Sequence, residues 1–166
     1  MKKISIVTAC YNEIDNIEEA ISCLYKILAI DKNNIHAYHS LGLIYGEIGD
    51  PNKSYSMFSK VLSIDPNHVE AHYNISLSKK FLKSDDQFKK MLDLYKLQNI
   101  DKDKRSILCF ALAKAFEDQN DIESAFKYLK EGNELRKSDL NYNISDDIKL
   151  FANLKVSAKE IKNVCL

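Results

Sequence analysis

The chain repeats itself every 34 residues: cut at Met1, Ile35 and Val69, it falls into consecutive blocks whose apolar and small residues stay in register. A period of that length marks stacked helical hairpins, each too small to bury its own apolar face and therefore dependent on its neighbours. The expected fold is an all-α, right-handed solenoid of about four hairpins forming one domain. The units fall at approximately 1–34, 35–68, 69–105 and 106–139, followed by a C-terminal capping helix at approximately 145–164.

The second block is the most regular. It carries Tyr38-x2-Leu41-Gly42-x2-Tyr45, then Gly49-Asp50, Phe58 and Asp65-Pro66. Gly42 stands where two helices cross and leaves room for close approach, while Gly46, one turn later, is expected to face a groove. Asp50 can cap the second helix with Pro51 at its first position, where the missing N–H costs nothing. Asp65 ends that helix, because a residue before proline avoids the α region.

The other blocks vary this pattern. In the first, Ile17, Ala20, Ile21, Leu24, Ile27 and Leu28 follow the spacing of one buried helical face. Its opening, Ile4 to Thr8, is β-branched and suits a strand as well as a helix. In the third, Ser76 and Lys79 replace the small and aromatic positions, and Phe88 stands where a small residue is expected. Ser84-Asp-Asp-Gln87 reads as a capping box, which predicts a hairpin with altered packing. The fourth block places Cys109, Leu112, Ala113 and Phe116 on its first helix, Asn120-Asp121 at the turn, and Ala125 and Leu129 on its second. Beyond a polar stretch, Ser138 to Asn143, Ser145 can cap a last helix whose Ile148, Phe151, Leu154, Ala158, Ile161 and Cys165 share a face.

These residues, those of the second block above all, resemble the tetratricopeptide (TPR) repeat consensus. The resemblance implies that first helices line a concave groove. By repeat frame the groove presents His36, His39, Leu43, Glu70, Tyr73, Asn74, Leu77, Phe110, Lys114 and Glu117, a surface suited to an extended or helical peptide. The Lys and Asn clamp with which some TPR proteins hold a chaperone's terminal carboxylate is missing, since the corresponding places carry Ser5, Ala9, Ser40, Glu70 and Asn74.

Two further resemblances frame the alternative. The stretch 69–151, with His72 to Phe81, Ser84 to Gln87, Phe110 to Asp118 and Ala125 to Asn133, is similar to the TPR segment of bacterial TPR-linked sulfotransferases. Ile4 to Glu13 is similar to the start of nucleotide-sugar glycosyltransferases. The chain could then act as the recognition arm, or the truncated N-terminal part, of such a system, with a sulfotransferase or glycosyltransferase catalytic chain as partner. Its own residues lack the chemistry. Thr8 is the sole threonine and no glycine follows Gly132, which excludes a Gly-Thr donor loop, and the sole DxD is Asp101-Lys-Asp103.

Composition narrows the function classes further. With 24 basic and 24 acidic residues the net charge is zero, and the nine tyrosines lack the basic stripe that nucleic acid requires. Cys10, Cys23, Cys109 and Cys165 form no CxxC pair, and neither His36/His39 nor His68/His72 has the third ligand a metal needs, so no metal and no cofactor are expected. No P-loop or dinucleotide fingerprint occurs among Gly42, Gly46, Gly49 and Gly132. The N-terminus lacks a cleavable signal pattern and no apolar run is long enough to span a membrane, which points to the cytoplasm. The expectation is a non-catalytic module that binds a protein or peptide.

Overall fold

A computed structural model describes residues 15–97, 99–139, 145, 148–149 and 151–154. Its elements are α1 (Asp15–Ile30), α2 (Ile35–Glu47), α3 (Pro51–Ile64), α4 (Val69–Ser78), α5 (Asp86–Tyr95), α6 (Lys102–Asp118) and α7 (Ile122–Asp139), with no strand among the described residues. The first half of the first block, including Ile4 to Thr8, lies outside them.

Several boundaries have a local cause. Asn34 and Asp50 cap α2 and α3 by accepting from the N–H groups of Ala37 and Lys53, both at 3.0 Å. Pro51 opens α3 and Asp65 closes it in extended conformation. Between α2 and α3, Gly49 adopts φ +78°, and between α6 and α7 Asn120 takes the same left-handed place at φ +58°. Asn is among the few side chains that tolerate it. Asp121 then accepts from the N–H of Ser124 at 3.1 Å, as Asp50 accepts from Lys53 two hairpins earlier.

The α2/α3 hairpin is held by close contact at Gly42, whose missing Cβ would sit 2.8–2.9 Å from the Phe58 ring. Ser54 Oγ donates to the carbonyl of Gly42 at 2.8 Å inside the same interface. The α6/α7 hairpin repeats the device with the roles exchanged: Ser106 Oγ donates to the carbonyl of Gly132 at 2.9 Å, and a Cβ on Gly132 would meet Cys109 and Phe110 at 3.2 Å. Gly46 does not face a groove; it lies on the Gly42 side of α2, where a Cβ added to it would sit 3.4 Å from Ser54 Oγ. Four residues separate it from Gly42, so the helical repeat returns it to the same face.

Between these two tight hairpins the third unit is splayed, with α5 packed against α6 more than against α4. Lys79 occupies the place held in α2 by the buried Tyr45, and α4 stops one residue before it. The chain instead inserts Phe81, wholly buried, from the α4–α5 connection. Phe81 N–H donates to Asp118 Oδ2 at 3.1 Å, and Lys79 pairs with Asp85. Asp85, not Ser84, caps α5, accepting from Gln87 N–H at 3.0 Å. Phe88 replaces the expected small residue, is buried, and meets Phe116 edge to face at a centroid distance of 5.1 Å. A phenyl ring at the crossing point keeps α4 and α5 apart, which is the altered packing the sequence predicts.

The core is therefore a series of interfaces. Leu24 and Leu28 of α1 pack on Ala37, Leu41 and Tyr45 of α2; Phe58 and Val61 of α3 pack on Ala71 and Ile75 of α4. Phe81, Phe88, Met91 and Leu94 meet Leu108, Ala111, Leu112 and Ala115 of α6. Ile27, expected on the buried face of α1, is exposed. In the C-terminal segment residues 145, 148–149 and 151–154 are helical, and Ile148, Phe151 and Leu154 are open in the structure.

Candidate functional site

The first helices α2, α4 and α6 each bury one side in the solenoid. α2 buries Ala37, Leu41, Gly42 and Tyr45; α4 buries Val69, Ala71, His72, Ile75 and Ser76; α6 buries Ser106, Leu108, Cys109, Leu112 and its alanines 111, 113 and 115. None of the ten groove candidates falls in those sets. His36 and Leu43 are exposed and His39 is half-buried; Glu70, Tyr73 and Asn74 are half-buried and Leu77 is exposed; Phe110 and Lys114 are half-buried and Glu117 is exposed. The helical repeat sets them on the opposite face of each helix.

α4 and α6 pack directly, and α2 reaches α4 through imidazoles. The His39 ring lies 5.3 Å from that of His68, tilted by 34°, and 5.5 Å edge to face from Phe58. His68 is the N-cap of α4: its Nδ1 accepts from the Ala71 N–H at 3.3 Å and lies 3.3 Å from a carboxylate oxygen of Glu70. Sequence reasoning placed His68 only in a histidine pair with His72. The capping role was readable from its position just ahead of the apolar run, but histidine is an uncommon cap.

His72 is committed to the interior, with Nε2 donating to the carbonyl of Pro66 at 2.9 Å. Burial holds the pKa of both His39 and His72 below the ordinary imidazole value; His68 adds to the effect at His39, and the Pro66 carbonyl opposes it at His72. His39 Nε2 and His72 Nδ1 are buried without a hydrogen-bond partner. Among the described residues no group of three or more His, Cys, Asp or Glu side chains is arranged to hold a metal ion. Cys109 is buried, and that burial with the nearby Glu131 carboxylate pushes its thiol up to about 12, so it is inert as a nucleophile at neutral pH.

The remaining candidates divide between surface and scaffold. Asn74 Nδ2 donates back to the Glu70 carbonyl at 2.8 Å, fixing its side chain along α4. Tyr73 rests on the α4–α6 core with part of its ring in reach of solvent. Lys114 is ion-paired with Asp118, the carboxylate that holds the Phe81 loop. Phe110 leans on α7, against the space left by Gly132, with the Arg136 guanidinium 5.7 Å from its ring centroid. The most open apolar contacts on this face are Leu43 and Leu77.

The described residues include no helix long and apolar enough to cross a membrane. A family model, Tetratricopeptide repeat, matches residues 35–68 and 107–139, the stretches that form the α2/α3 hairpin and most of the α6/α7 hairpin. No curated protein sequence matches the chain. A crystal structure of MamA protein superposes with a TM-score of 0.51 at 19% identity, covering 80% of this chain and 71% of that one. The structure MamA MSR-1 C2 gives 0.49 at 18% identity, covering 74% and 69%. The first of these supports the fold, a TPR-like solenoid, and nothing finer.

Proposed function

We propose that the chain is a protein-interaction module that holds an extended or helical peptide segment of a partner protein along the face of α2, α4 and α6. The observation that supports this reading most directly is the division of each first helix: one side is consumed by the solenoid, while the other offers apolar, aromatic and polar side chains on three consecutive helices. Leu43, Tyr73 and Leu77 can bury apolar area against a ligand, and His36, Glu70 and Glu117 rim the surface with hydrogen-bonding and charged groups. Tyr73 is the expected anchor, because a ring already seated on its own core loses little conformational freedom on binding. The alternative, a recognition arm for a sulfotransferase or glycosyltransferase chain, draws no specific support from this geometry.

Photocrosslinking tests the reading by position. A photoreactive phenylalanine analogue at Leu43 or at Leu77 is expected to capture a partner, and the same group at Tyr55, exposed on α3, is expected not to. Capture from Tyr55 alone would move the binding surface to the second helices.

A further inference from the structure

Asn34 and His68 stand one repeat apart and do the same task. Each is the N-cap of a first helix, Asn34 for α2 and His68 for α4, and each accepts from the N–H three residues further on. The bonds differ in quality: the Asn34 side chain reaches the Ala37 N–H at 3.0 Å, whereas His68 Nδ1 lies 3.3 Å from the Ala71 nitrogen. They differ also in kind. An amide oxygen accepts throughout the ordinary pH range, but an imidazole nitrogen accepts only while it carries no proton.

The same Nδ1 has a second neighbour of opposite demand, a carboxylate oxygen of Glu70, also at 3.3 Å. Ala71 offers a donor and requires the bare nitrogen; Glu70 offers an acceptor and requires the protonated one. In the neutral ring two acceptors face each other, and a proton relieves that repulsion. The His68 side chain is 19% exposed and that of Glu70 38%, so solvent reaches both. The other titratable and charged groups around the pair are His36 and His39 on α2, Asp65 ahead of α4, His72 on α4 and Lys90 of α5, while α3 contributes the uncharged Phe58. Burial, reinforced by His68, holds the His39 pKa down, and burial does the same at His72, so both rings resist protonation in mild acid. Asp65 is committed to the Asn67 N–H at 2.9 Å. Among the described residues Glu70 is the carboxylate within bonding distance of the His68 ring.

We infer that His68 is a proton-operated switch at the start of α4. With the ring neutral, Nδ1 caps the helix through the Ala71 N–H. With the ring protonated, Nδ1–H donates to the Glu70 carboxylate, the Ala71 bond is lost, and Glu70 is drawn from the rim of the proposed binding face onto the imidazolium. A charge-assisted bond is stronger than a neutral one, which favours the exchange once the proton arrives. The consequence for binding rests on the peptide-holding reading: a partner that uses Glu70 and the first turn of α4 is held less well in mild acid.

NMR of the free full-length protein reads the switch between about pH 7.5 and 5.5, the range in which imidazoles titrate. Proton–nitrogen correlation spectra of the rings should show His68 Nδ1 gaining the proton. Over the same range the Ala71 amide should move upfield and, after correction for its intrinsic rate, exchange several-fold faster, with overall helicity retained. His68→Asn installs the cap of the preceding repeat and should hold the Ala71 amide fixed, while Glu70→Gln, which withdraws the carboxylate, should delay the Ala71 response to lower pH. An Ala71 amide indifferent to pH in the natural chain, one that responds equally in His68→Asn, or a response untouched by Glu70→Gln overturns the inference. The binding arm is separate: capture by the photoreactive group at Leu77 should drop several-fold at the lower pH in the natural chain and not in His68→Asn. Equal capture at both pH values overturns the regulatory consequence, whereas capture at neither removes the peptide-holding reading and leaves the NMR result to decide the switch.

Discussion

Gly42→Ala adds one methyl at the tightest of the four glycine positions. Its Cβ would lie 2.8, 2.8 and 2.9 Å from three atoms of the Phe58 ring, whereas carbon atoms prefer about 3.5–4.0 Å. The ring must give way by most of an ångström. Phe58 is 2% exposed and packs with Val61, Ala71 and Ile75, so its displacement disturbs the α3–α4 interface as well as its own hairpin. Widening the crossing also stretches the bond from Ser54 Oγ to the Gly42 carbonyl. Overpacking of this kind costs about 1–3 kcal/mol, against a gain of up to about 1 kcal/mol from the better helix propensity of alanine. Net destabilisation of about 1–2 kcal/mol is expected. Gly46→Ala meets only Ser54 Oγ, at 3.4 Å, so it should be neutral or stabilising by up to about 1 kcal/mol. Urea denaturation followed by circular dichroism ranks the two variants, and Phe58→Leu combined with Gly42→Ala should recover part of the loss by removing the ring. A Gly42→Ala protein as stable as the Gly46→Ala protein refutes the crossing-point argument.

Other consequences can be measured in the same way. His39 and His72 have pKa values held below 6.5 by burial; the unfolded chain therefore binds more protons in mild acid, and stability present above pH 6.5 should fall as pH drops through the lowered folded values. His72→Gln should flatten that slope in a pH series of denaturation midpoints. Asp118→Ala removes both the acceptor of the Phe81 N–H and the partner of Lys114; a loss of about 1–3 kcal/mol is expected, and Asp118→Asn, which can still accept, should lose less. Phe110→Ala should lower the melting temperature because the ring packs on α7 at Gly132, whereas Tyr73→Ala should weaken partner affinity by about 2 kcal/mol or more while helicity is retained.

The hairpins were legible wherever local chemistry decides the outcome. Asp50-Pro51, Asp65-Pro66 and Gly42 each act through a clash or a bond within one unit, and the structure places all of them as the repeat frame does. Tertiary replacement was not legible. Nothing in a single block says that Phe81, from a connection, fills the pocket that Lys79 vacates, because its partner Asp118 lies 37 residues away. Gly132 was hidden for a related reason: the frame offers Val61 at that place in the second unit, so a glycine there reads as an ordinary departure until α6 is seen against it. For the candidate site, periodicity kept the ten positions out of the fully buried sets of their helices, though six of them are half-buried. It did not reveal that Phe110 and Lys114 are already engaged by Arg136 and Asp118.

Those engagements bear on how the proposed binding face is held. Stability in a solenoid is roughly a sum of unit and neighbour terms, and here the two regular hairpins flank a unit whose own helices barely meet. α4, the middle helix of the proposed binding face, is therefore placed mainly by others: by Phe58 and Val61 from α3 behind it, by His39 against its cap, and by α6 alongside. A ligand that touches Tyr73 or Leu77 presses on a helix whose position is set across three interfaces. Substitutions in those interfaces, far from any contact with the ligand, should consequently change affinity by shifting α4, and they should do so in proportion to their effect on the stability of the α3–α4 and α4–α6 contacts.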